Sequence, residues 1–258
     1  MTVRIERDER GVATITVVRE AKLNALDSPT VEALTAAARV LSHESDLRAV
    51  VLRGAGTRAF SGGADIVEMS HLSGPDAART FITGIHHACD ALRRVPVPVL
   101  ACIQGYTLGA GLEIAASCDL RIASEKAMFG MPEVRIGLPS VIEAALLPGL
   151  IGWGRARRLL LTGETIDAAR ALAWGLVEEV VGAAALDDAV EAVLASILAS
   201  GPSAVRLQKK LISDWEDLPL RDAVRRGIDV FSTAWQGEEP GRMTAGFLDE
   251  MRRRKTRA

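Results

Sequence analysis

Between Gly105 and Glu133 the chain reads GYTLGAGLEIAASCDLRIASEKAMFGMPE, and no other stretch restricts the fold as strongly. Gly105 to Gly111 is a glycine-rich bend. Leu112 to Ala116 then reads as a short helix, and Asp119 to Ala123 as a short strand. Glycines let a backbone N–H approach a ligand closely, because no Cβ stands in the way. Glu113 and Glu133 punctuate the stretch. Exposed N–H groups beside two carboxylates describe an acid/base site for an oxygen-bearing substrate.

Short strands, glycine bends and helices fill the chain on either side. Val3–Glu6 and Val12–Val18 alternate apolar and polar residues around a turn at Gly11, which predicts a hairpin. LNALD (23–27) is a loop. Ser28 is expected to cap a helix whose first residue is Pro29 and whose buried stripe is Val31, Leu34, Ala38 and Leu41. Ala49–Leu52 reads as a buried strand, and Phe60–Asp65 (FSGGAD) as a second glycine-rich bend. A helix over Ala77–Arg94 leads through Pro96 and Pro98 into a strand at Val99–Ile103. Ile142–Leu147 and Arg155–Leu161 read as helices, Thr165–Asp167 as a cap before the helix Ala168–Leu172, and Val177–Val181 as a strand. From Leu186 onward the pattern is helical, with Leu220, Val224, Ile228, Phe231 and Trp235 on one stripe and a short last helix at Gly241–Met251.

Composition removes several function classes. The net charge of −2 offers no global field for nucleic acid or an anionic membrane. The run Arg252–Lys255 reads as a solvated tail. The start lacks the apolar segment of about 7–15 residues that a signal peptide needs, and no run of about 18 apolar residues suggests a membrane span. Cys89, Cys102 and Cys118 form no C-x-x-C pattern and fit buried thiols in a reducing cytoplasm. No histidine lies in H-E-x-x-H, and His86 and His87 do not share a helix face, so no metal site is expected.

Three nucleotide or nucleophile motifs also fail. G-x-G-x-x-G at Gly109 would need glycine where Ile114 stands. A nucleophile elbow at Ser61 would need glycine where Ala59 stands. No G-x-x-x-x-G-K-[ST] occurs. Two glycine-rich bends, each ahead of a helix, remain. They are either plain tight turns or two sources of N–H donors converging on one carbonyl oxygen; the glycines alone support both readings equally.

The residues carry more than their glycines. FSGGADIVEM (60–69) and the 105–133 stretch resemble the enoyl-CoA hydratase/isomerase family, the crotonases. LNALD (23–27), LLTGETIDAARALAWGLVEEVV (160–181) and FSTA with the later GF extend that resemblance, in order, over nearly the whole chain. It implies an α/β fold: a crotonase-like β-β-α spiral core holding the active site (residues 1–195), then a helical C-terminal region (196–258) used in trimerisation. A homotrimer, or a homohexamer formed as a dimer of trimers, follows.

The implied reaction is hydration of a trans-2-enoyl-CoA to a 3-hydroxyacyl-CoA in fatty acid metabolism. Coenzyme A enters as part of the substrate, and no metal or redox cofactor is involved. The implied oxyanion hole is the N–H of Ala64 and of Ala110, and the implied acid/base pair is Glu113 and Glu133. Lys22, Leu23 and Ala25, with Ala64, Asp65, Ile66 and Val67, match the loops that wrap coenzyme A, Asp65 more as a helix cap than as a chemical group. Phe231 and Phe247 are further contacts to the coenzyme, in the same or a neighbouring subunit. Double-bond isomerisation, or hydrolysis or decarboxylation of a CoA thioester, are the alternatives within the family; RNA binding, known among relatives, fits poorly with the charge. One segment departs from the pattern. GLPSVIEAALLP (137–148) lacks the usual glycine cluster, so Leu138, Val141, Ile142 and Glu143 reshape the acyl pocket. Glu143 there is a third carboxylate, although an exposed helix residue is its plainer reading.

Overall fold

The computed structural model describes residues 1–257. It has two compact units, Met1–Val193 and a second beginning at Leu194. The first opens with the hairpin of β1 (Val3–Arg7) and β2 (Val12–Val17), paired antiparallel with Val3 opposite Val17. Next comes α1 (Ser28–Ser42). Its cap is Asp27 rather than Ser28: the Asp27 carboxylate accepts the Thr30 N–H at 3.0 Å, which puts Ser28 inside the first turn. Val31, Leu34, Ala38 and Leu41 form its buried face, as the spacing required.

A repeating unit follows. β3 (Ala49–Gly54) and β4 (Ala59–Ser61) lead into α2 (Ile66–Met69) and α3 (Gly74–Arg93). β5 (Val99–Ile103) and β6 (Tyr106–Leu108) lead into α4 (Ala110–Ala116). β7 (Leu120–Ser124) and β8 (Met128–Gly130) lead, through 3-10 turns at Pro132–Ile136 and Ile142–Leu146, into α5 (Leu147–Ile151) and α6 (Trp153–Thr162). β9 (Thr165–Asp167), α7 (Ala168–Trp174) and β10 (Glu179–Val181) close the series.

The first strands of these units, β3, β5 and β7, join β1, β2 and β10 in one sheet, in the order β1-β2-β3-β5-β7-β10, and the second strands, β4, β6 and β8, join β9 in another, β4-β6-β8-β9. Equivalent strands of successive units pair in parallel, Val50 with Val99 and Leu100 with Leu120 in the first sheet, Tyr106 with Met128 in the second. The chain therefore advances by one strand per turn of a β-β-α spiral. Strands covered on both faces need continuous apolar runs, and all five residues of VLACI in β5 are buried. Arg121 of β7, also buried, donates from Nε to the Leu176 carbonyl at 2.9 Å and pairs with Glu178, tying β7 to the segment that enters β10.

Several boundaries differ from the sequence-based expectation. Strand β6 lies inside the Gly105–Gly111 bend, β4 opens the Phe60–Asp65 bend, and β8 was not foreseen at all. Thr165–Asp167 is a strand paired antiparallel with β8, while Asp167 also caps α7 by accepting the Arg170 N–H at 2.8 Å. Three residues are too few to display a period of two. Ile142–Leu146 is a 3-10 helix, and the last helix is longer than expected. The second unit contains α9 (Pro202–Asp217), α10 (Leu220–Ala234) and α11 (Glu239–Arg257), preceded by α8 (Leu186–Leu198). The basic run Arg252–Lys255 is thus helical, and it is exposed. Among the described residues no helix is long and apolar enough to cross a membrane.

Candidate active site

The second sheet places the site. β4, β6 and β8 are adjacent and parallel, and the chain just beyond their C-terminal ends carries Ala64, Ala110 and Glu133 respectively. Ligands of α/β sheets gather at such strand ends.

The two glycine bends meet there. Gly63 has φ +96°, and a Cβ on it would lie 2.7 Å from the Leu108 carbonyl oxygen and 3.6 Å from the Ala110 nitrogen. Only glycine allows that approach. Leu26 pairs with the Ala64 bend by donating to the Gly63 carbonyl at 2.8 Å and accepting from Asp65 N–H at 3.0 Å. That alternation turns the Ala64 N–H away from Leu26. Among the described residues neither it nor the Ala110 N–H donates to an acceptor elsewhere in the chain. Asp65 caps α2, accepting from Val67 N–H at 3.0 Å and Glu68 N–H at 3.2 Å, and also receives Arg19 at 3.1 Å. Those donors, set against a partial desolvation that acts the other way, hold its carboxyl below the usual range.

Lys22–Ala25 lies on the same bend, because Leu23 offers its carbonyl to Gly62 N–H at 2.8 Å. Leu23 and Asn24 both have left-handed backbones, with φ of 53° and 54°. Asn24 holds the turn: its amide donates to the carbonyls of Ala59 and Ala55 at 2.7 and 2.9 Å. Asn24 is one of the few residues that tolerates this conformation, and that tolerance is the only sequence signal for its role. Ile66 and Val67 are exposed beside the bend.

Glu113 projects from the first turn of α4 and is only 3% exposed. Its Oε1 accepts the Ala144 N–H at 3.0 Å. Burial pushes its carboxyl up to about 8; the Ala144 N–H opposes that, and the charges of Glu133 and Glu143 add to it. Glu133 is half-buried in the 3-10 turn after β8, with Oε2 accepting the Ser140 hydroxyl at 2.8 Å. Its other oxygen lies over Gly109, where a Cβ would stand 2.4 Å from Oε1. Each carboxylate is thus held by one oxygen. Nothing in the sequence singles out Ser140.

The departing segment splits. Leu138 and Val141 are exposed, while Ile142 is half-buried and packs on the core. Glu143 is buried, 7% exposed, which corrects its reading as a surface helix residue. Ile142 has φ +41°, so the chain reverses there and turns the next side chain inward, where Glu143 Oε1 meets His86 Nδ1 at 2.7 Å. Phe231 and Phe247 belong to the second unit, on α10 and α11, and are exposed.

Comparison with known proteins agrees with this architecture. Residues 7–251 match the family described as enoyl-CoA hydratase/isomerase. A probable enoyl-CoA hydratase of Mycobacterium bovis is 35% identical over 250 residues, covering 96% of this chain and 95% of that protein. The short-chain-enoyl-CoA hydratase of Clostridium acetobutylicum is 33% identical over 243 residues, covering 94% and 93%. The crystal structure of enoyl-CoA hydratase from Bacillus anthracis superimposes with a TM-score of 0.93 at 30% identity, covering 97% of each chain. With the spiral of β-β-α turns and a match of this extent, the chain belongs to the enoyl-CoA hydratase/isomerase family and has the crotonase fold.

Proposed function

We propose that the protein catalyses the reversible syn addition of water to a trans-2-enoyl-CoA, giving a 3-hydroxyacyl-CoA. The observation that carries this reading is the pair Glu113 and Glu133 beside two unpaired N–H groups at the ends of adjacent strands. In the forward direction the water oxygen bonds to C3, and the double-bond electrons move onto the thioester oxygen. The N–H groups of Ala64 and Ala110 stabilise that enolate, each contributing roughly 3–4 kcal/mol. Glu133 takes one proton of the water and delivers it to C2 as the enolate collapses. Glu113, neutral at pH 7, holds the water by hydrogen bonding. Isomerisation would need mainly one carboxylate, so the second one, fixed by Ala144, favours hydration. The scheme is redox-neutral and moves only a water molecule, so it requires neither a metal nor a redox cofactor. Lys22, Leu23, Ala25, Ala64, Asp65, Ile66 and Val67 are the chain's contacts to the coenzyme A part of the substrate in this reading.

The purified protein is expected to remove the conjugated thioester absorbance of crotonyl-CoA. No turnover of short, medium or branched enoyl-CoAs would overturn the proposal. The pH dependence has a definite sign: Glu113 loses its proton as pH rises through about 8, so kcat/KM falls on the alkaline side with a midpoint near that value. A flat profile from pH 7 to pH 9.5 contradicts the neutral role of Glu113.

The second unit supports assembly. Leu220, Val224, Ile228 and Phe231 form an exposed apolar stripe on α10, with Leu220 82% exposed. Such a stripe is suited to burial against further copies, as a trimer or a dimer of trimers. Light scattering at micromolar concentration is expected to give a multiple of three chains, and a monomeric mass would refute this. The three buried cysteines, all free thiols, fit a reducing cytoplasm.

A further inference from the structure

Glu143 is not needed by the scheme above, yet the chain goes to some length to bury it. Ile142 is β-branched and sits at φ +41°, a strained conformation that is an outlier for such a residue. A buried carboxylate is itself unfavourable unless paired. Glu143 Oε1 meets the His86 ring, and the only further hydrogen-bonding neighbour of the carboxylate among the described residues is the weakly donating Cys89 thiol, which leaves the buried Oε2 without a full hydrogen bond. A strained residue followed by an incompletely satisfied acid marks a functional position more often than a structural one.

The surroundings show what it acts on. Glu143 immediately precedes Ala144, whose N–H holds Glu113. The 3-10 helix that carries both packs on α3, α4 and α5. From α3 it faces His86 and the buried thiol of Cys89, and from α4 it faces Glu113; α5 brings no titratable side chain. His86 lies at the rim, with 47% of its side chain accessible, so the pair links the surface to the buried carboxylate.

We propose that Glu143, anchored by His86, is a positioning residue for Glu113: it keeps the Ala144 N–H on the Glu113 carboxylate and sets a second buried carboxylate beside it, fixing the protonation state in which Glu113 meets the water. This rests on the hydratase reading and adds a third acid to it. Its charge is one of the influences that push the Glu113 carboxyl up, in the same direction as burial. The Cys89 thiol is pushed well up by burial and by the same charge, so it stays neutral and adds no competing anion.

The test separates charge from anchoring. Glu143→Gln keeps the shape and a hydrogen-bonding group for His86 but deletes the charge. Its alkaline limb in kcat/KM is expected to move down by about half a pH unit, about threefold less activity above the parental midpoint, with KM within about twofold. His86→Ala keeps the charge and deletes the anchor; kcat is expected to fall about tenfold with little change in KM, and the limb does not move down. A Glu143→Gln profile superimposable on the parent overturns the proposal, as does His86→Ala with parental kcat. Carbon-13 titration of the Glu113 carboxyl, assigned through Glu113→Gln, reads the same shift without turnover. It therefore distinguishes failure of this inference from failure of the hydratase reading, and it also serves a Glu143→Gln protein of low activity. An unchanged Glu113 titration in that variant is the overturning result.

Discussion

Replacing Glu133 by glutamine is expected to lower kcat by about 10²–10⁴-fold, the usual worth of a positioned acid/base group. Glutamine keeps the size of the side chain and can still accept the Ser140 hydroxyl, which now holds Oε2 at 2.8 Å. It cannot take a proton from water or return it to C2. The substitution therefore removes the proton transfer and leaves the binding surface intact. Titration of the variant with a CoA ester checks the second half: Kd is expected to stay within a few-fold of the parent. Parental kcat would remove Glu133 from the chemistry, and a large rise in Kd with unchanged kcat would make it a binding residue instead.

Gly109→Ala is expected to be nearly as damaging although it adds one methyl group. Gly109 has φ +51° and ψ −125°, a region that residues with a Cβ essentially do not enter. The new Cβ would lie 2.4 Å from Glu133 Oε1, so either the bend or the carboxylate must move. A displacement of about 1 Å in a reacting group costs about 10²-fold in rate, and the strain adds on the order of 1–3 kcal/mol of lost stability. The two effects are read separately, as kcat/KM with crotonyl-CoA and as the midpoint of thermal unfolding. Parental values of both would show that the bend has slack which these distances exclude.

Much of this architecture was legible in the residues. Val99–Ile103 reads as a strand after Pro96 and Pro98, and β5 is that strand. The 3.6-residue spacing of Val31, Leu34, Ala38 and Leu41 identified the buried face of α1. The glycine-rich bends are by themselves equally readable as plain tight turns, and only the resemblance implies that their N–H groups converge. What escaped follows from length and from context. β4, β6, β8 and β9 have three residues each, less than two full alternations. The capping of α1 passed from Ser28 to Asp27 because both are good caps in sequence and only the Thr30 geometry decides between them. Glu143 was misplaced for a sharper reason. A helical reading of 142–147 sends it outward, whereas the left-handed backbone of Ile142, which no β-branched residue advertises, sends it in.

The advance of one strand per turn has a consequence for how this protein can fail. Ala64 follows β4, Ala110 and Glu113 follow β6, and Glu133 follows β8, so the proposed machinery is divided among three successive coils and no coil holds all of it. Each junction between coils is a parallel pairing that closes a long stretch of chain, the kind of contact that forms slowly and is reached only after much of the chain is ordered. A slip or local opening at either junction separates groups that are useless apart, even while most of the core stays folded. Turnover in this chain then reports the alignment of all three coils at once, and damage at one coil boundary is expected to silence it before bulk unfolding begins.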